Sequence, residues 1–186
     1  MVRFFLPFLI FLLFIIEGTI MQTFSPERFG SEYFIIPRFA FLVVLVLSIF
    51  LGRALGTVYG LILGLFQDVV YTHILGIYIF SMGLIAYFLG LSYKLFQKNL
   101  FLLIITAVFG TVLLDYLVFG LHTMIGITEL AHERFFRERL LPSIIINSVF
   151  MIVFAYPLRK FLVFLQKCDD IEEKINKRKK DFRWQR

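Results

Sequence analysis

Cysteine, histidine and charge are all scarce in this chain. Its 186 residues hold one cysteine (Cys168), three histidines and one tryptophan, and only 17% are charged. A lone cysteine excludes an internal disulfide framework and any cysteine-rich metal site. His73, His122 and His132 are scattered along the chain and make a poor zinc site. A G-x-S-x-G elbow, a phosphate-binding glycine loop and a Cys/His pair are missing as well. No catalytic constellation is assembled, so neither an enzyme nor a bound metal or cofactor is expected. There is no long-period repeat, no low-complexity tract, and no polar stretch long enough for a second folded domain.

What the chain has instead is apolar length. Hydrophobic residues make up 60% and the mean hydropathy is +0.87, above the roughly 45–50% apolar share of a soluble domain. Runs of about 20 apolar residues are long enough to cross a bilayer. Six are expected: Phe4–Phe24, Phe34–Leu51, Ala54–Tyr71, Ile74–Tyr93, Leu100–Leu121 and Leu140–Leu165. The first has a basic start at Arg3, but it is longer than a signal-peptide core and no small-x-small cleavage site follows, so it reads as a retained span. Pro157 removes a backbone donor and predicts a bend or an end near Phe154–Tyr156. The fold class is therefore an all-α integral membrane protein, a six-span bundle over residues 1–165 with a basic tail at 166–186.

Charge placement sets an expected topology. Arg3, Arg53, Lys94, Lys98, Arg159, Lys160, Lys167 and the tail share one side if the span count is even. The other side carries Glu27, Arg28 and Glu32, and then the last loop, where Glu129, Glu133, Arg134, Arg137, Glu138 and Arg139 cancel. The positive-inside rule then puts both termini in the cytoplasm.

Gly52, Gly56, Gly60, Gly64 and Asp68 recur at four-residue intervals inside one apolar stretch that runs through the third span. On one helix they form a row of glycines ending in a carboxylate. Such a row lets a second backbone approach closely, within the bundle or from a partner helix, and the intramolecular use is favoured. Gly76, Gly83 and Gly90 repeat the theme in the fourth span, after a turn of a few residues. Asp68 is placed to cap the fourth span across that turn, or to act as a functional intramembrane carboxylate. Asp115 lies deeper and is the better candidate for a buried polar pair. Glu17, one or two turns from the end of its span, is placed to reach the interface. No arginine or lysine stands mid-span to pair with them, which argues against a transporter relay.

Two segments outside the spans carry candidate contacts. Phe135 and Phe136 stand among mixed charges in the last loop, either on an interfacial helix or as an external docking patch. The tail clusters basic residues, among them Arg178, Lys179 and Lys180, around Phe182 and Trp184. Such a cluster attracts anionic lipids; a cytoplasmic protein contact is the rival reading, and nucleic acid is not expected.

The run Gly60-LIL-Gly64-Leu65-Phe66-Gln67-Asp68, followed by Leu75-Gly76-IYIFSMGLIAY-Phe88, resembles the bacterial rod shape-determining protein MreD family. Pro37 opening the second span, the length and the basic end fit that pattern; Tyr71-Thr72-His73 departs from the small residues usual in the turn. The resemblance implies a non-enzymatic membrane scaffold of the cell-elongation machinery. It implies an MreC-like bitopic partner, indirect association with MreB, RodA and a transpeptidase, and a role in lateral peptidoglycan synthesis. It also implies a likeness in fold to the S-components of energy-coupling-factor transporters, and hence an alternative function as a small-molecule-binding transporter subunit. Against that alternative, the first span lacks the small residues through which S-components dock.

Overall fold

The computed structural model describes residues 5–23, 34–72, 74–91, 99–126 and 131–184, with the side chains of Phe5 and of residues 168–184 outside the description. Six main helices carry the fold: α1 (Phe5–Thr23), α2 (Phe39–Leu51), α3 (Arg53–Tyr71), α4 (Ile77–Gly90), α5 (Leu100–Met124) and α6 (Leu141–Trp184). A helical turn at His132–Arg134 and a π-helical turn at Phe135–Leu140 lead into α6. The chain is an all-α membrane protein. Among the described residues, four helical stretches are long and apolar enough to cross a membrane, Leu6–Thr23, Arg53–Tyr71, Leu100–Met124 and His132–Lys167.

α2 is the axis of the bundle. It packs against each of the other five helices. From Ala40 to Phe50 no residue is more than 3% exposed. Its sequence, Phe39-AFLVVLVLSIF-Leu51, is apolar all round, the pattern of a helix with no outer face. The other helices divide their apolar residues between this axis and the outside. On α3, Leu63 faces inward while Leu55, Val58, Ile62 and Val69 are exposed, as expected of a surface that meets lipid.

The second and fourth expected spans are shorter as helices than the sequence suggested. Residues 34–38 are not helical, and α2 begins only at Phe39. Pro37 biases the residue before it toward extended backbone, and the freed backbone groups of this segment find partners elsewhere. Phe34 N–H donates to the Glu138 carbonyl at 2.8 Å, Ile36 N–H to Ser143 Oγ at 3.4 Å, and Arg38 N–H to Asn147 Oδ1 at 2.9 Å. Non-helical backbone at this depth persists because protein covers it. α4 starts at Ile77, after Gly76 at φ +114°, a left-handed conformation that glycine adopts without a side-chain clash.

The bend or end expected at Pro157 does not terminate the helix. α6 runs through it as one 44-residue helix. Losing one backbone bond is cheaper here than ending a helix inside an apolar layer, where several carbonyls would lose their partners. Residues 166–184 continue the α6 backbone as helix.

Candidate functional site

α3 and α4 form a tight hairpin, and the glycine row is its seam. A methyl group added at Gly64 would lie 2.6 Å from Ile79 Cα, and one at Gly60 2.9 Å from the Met82 carbonyl oxygen. Gly56 instead abuts Ser48 on α2, whose hydroxyl donates to the Ala86 carbonyl on α4 at 2.5 Å. Gly83 faces the Leu61 side chain. The row is thus covered from inside the molecule. Gly52 is not part of it: it separates α2 from α3 with φ +98° and open space around it. The four-residue spacing is real, but a positive φ cannot continue a helix, so the first glycine is a joint.

Asp68 ends the row and closes the hairpin. Its carboxylate accepts from the backbone N–H groups of Gly76 (2.8 Å), Tyr78 (3.0 Å) and Ile79 (3.1 Å). These belong to the first turn of α4, whose donors have no intrahelical acceptor. A negative charge is also favourable at that helix end.

Beneath this cap lies a polar junction to which each of the six main helices contributes. Arg38, 2% exposed, is its hub. Its guanidinium donates to Gln67 Oε1 of α3 (3.4 Å), Tyr78 Oη of α4 (3.0 Å) and Asp115 Oδ1 of α5 (3.4 Å), and lies 5.0 Å from the centre of the Tyr78 ring. Gln67 Nε2 passes the chain of bonds to Glu17 Oε1 of α1 at 3.0 Å, and Glu17 Oε2 accepts from Ala40 N–H at 3.4 Å. Asn147 of α6 holds the Arg38 backbone. Two carboxylates and one guanidinium share the enclosure, and Arg38 Nε has no hydrogen-bond partner.

Sequence reasoning placed Asp115 as half of a buried pair but found it no cation. Arg38 is that cation, because the non-helical lead-in carries it inside rather than leaving it at the mouth of a helix. Glu17 does not reach the interface; it is 1% exposed and tied to Gln67 and Ala40. Gln67, Tyr78 and Asn147 were missed. The available signal was the presence of amides in otherwise apolar runs, since a buried amide must find partners.

Phe135 is not an external docking residue. It is 2% exposed and stacks on Phe119 with ring centres 4.1 Å apart. Its neighbour Phe136 is 42% exposed. Arg178, Lys179, Lys180 and Trp184 continue the α6 backbone, but their side chains lie outside the described residues. Among the described residues no group of three or more His, Cys, Asp or Glu is placed to hold a metal ion.

Compared with known proteins, residues 2–165 match the family model described as rod shape-determining protein MreD. The rod shape-determining protein MreD of Bacillus subtilis (strain 168) is 30% identical over 167 residues, covering 90% of this chain and 97% of that relative. No solved structure matches the chain.

Proposed function

The chain belongs to the rod shape-determining protein MreD family, and from that membership we propose that it is a non-enzymatic membrane scaffold of the rod machinery. In this reading it binds an MreC-like bitopic protein. Through that partner it works beside MreB, RodA and a transpeptidase in lateral peptidoglycan synthesis. The observation that carries the reading is the junction around Arg38. The buried side chains Arg38, Gln67, Asp115 and Glu17 join helices through hydrogen bonds and are nearly inaccessible. A rigid, internally tied bundle suits a part that presents surfaces.

The proposed topology is six crossings with both termini cytoplasmic. The basic residues at Arg3, Arg53, Lys94, Lys98 and the far end of α6 fall on one side in that arrangement. α2 alone spans about 20 Å at 1.5 Å per residue. The non-helical residues 34–38 lengthen this segment ahead of the helix.

The test is gentle extraction of the full chain from native membranes, with mass spectrometry of what accompanies it. Recovery of a bitopic MreC-like protein with wall-synthesis enzymes supports the scaffold. Recovery of an ATPase pair with a transmembrane coupling subunit overturns it in favour of a transporter subunit.

A further inference from the structure

The π-helical turn at Phe135–Leu140 changes which side chains share a face. In an α-helix, residues five apart point about 140° away from each other. With i→i+5 bonding they become near neighbours. The turn therefore brings Arg134 and Arg139 toward one cleft. The cleft, about 250 Å³, is lined by both arginines with Phe34, Ile36, Phe135 and Glu138. Its floor is apolar: Phe135 is buried, and the Arg139 guanidinium lies 5.9 Å from its ring centre. Arg139 Nε is buried without a hydrogen-bond partner. An unpaired guanidinium N–H in such a place calls for an acceptor. π turns are rare and often mark functional sites, and this one is held in place by the Phe34 N–H bond to the Glu138 carbonyl.

We propose that this cleft binds the phosphodiester headgroup of an anionic membrane lipid. Two observations select the class. Two arginines and one glutamate leave the lining with a single net positive charge, which matches one phosphodiester better than a doubly charged phosphate. The cleft also sits where the apolar stretch His132–Lys167 begins, the level at which headgroups meet a helix end. Arg offers a fork of donors suited to phosphate oxygens, and Phe34, half exposed at the rim, supplies apolar surface for the first acyl carbons. The site does not depend on the scaffold reading.

The experiment is native mass spectrometry of the full chain in detergent, titrated with phosphatidylglycerol, phosphatidylcholine or inorganic phosphate. One phosphatidylglycerol should bind most tightly. Its apparent affinity should fall about tenfold in Arg139→Gln and in Arg134→Gln, while Lys179→Gln/Lys180→Gln leaves this tightest site intact. Arg134 is exposed, so its variant reads binding rather than folding, and an unchanged thermal midpoint confirms that. Equal retention of phosphatidylcholine, displacement by millimolar inorganic phosphate, or unchanged binding in the Arg134 variant would each overturn the proposal.

Discussion

Arg38 and Asp115, 77 residues apart in sequence, meet at 3.4 Å with both side chains almost wholly buried. Removing one partner leaves the other charge without its counterion. Arg38→Met should therefore destabilise the protein by about 3–5 kcal/mol, whereas Arg38→Met combined with Asp115→Leu should recover part of that loss. The comparison is read from thermal unfolding in detergent. If the double variant is no better than the worse single one, the pair is not the coupling that matters.

Asp68 gathers three backbone N–H groups from the start of α4. Asp68→Leu leaves them unsatisfied, at about 1–3 kcal/mol for each buried donor, and should sharply lower the amount of folded protein in the membrane. Asp68→Asn keeps one acceptor oxygen and should be milder. Normal membrane levels and normal cell shape with Asp68→Leu would refute the capping role.

The glycines should fail for two different reasons. Gly64→Ala forces a methyl group against Ile79 backbone at 2.6 Å, so it should open the α3–α4 seam. A cysteine crosslink across that hairpin would then form more slowly. Gly52 has room but φ +98° and ψ +154°, a region essentially confined to glycine, so Gly52→Ala should lower stability although its methyl meets no atom. An unchanged unfolding midpoint in Gly52→Ala would refute this backbone account.

Adjacent phenylalanines should also separate folding from docking. Phe135→Ala removes a buried ring stacked on Phe119 and should cost about 3–5 kcal/mol. Phe136→Ala, at an exposed position, should leave the unfolding midpoint within about 0.5 kcal/mol of wild type. Partner recovery lost in Phe136→Ala at unchanged stability would locate a contact there.

The helices were legible because lipid demands long apolar runs, and the hairpin because glycine spacing and Asp68 are local signals. The junction was not. Its hub depends on Pro37 holding residues 34–38 out of helical form, and its partners come from five other segments that no periodicity links. Phe135 and Phe136 looked alike in sequence, and the π turn decides which is inside. At Pro157 the helix does not end, because ending it where water is absent would strand several carbonyls.

α2 has a further consequence for how the chain is made. It is made before α6, yet α6 helps enclose it, and the Arg38 amide waits for Asn147, 109 residues later. Until then a charged side chain and its non-helical backbone must be tolerated in a half-assembled bundle. Biogenesis of this protein is accordingly back-loaded. A nascent chain stopped before α6 has its centre written but not sealed, and is a natural substrate for membrane quality control.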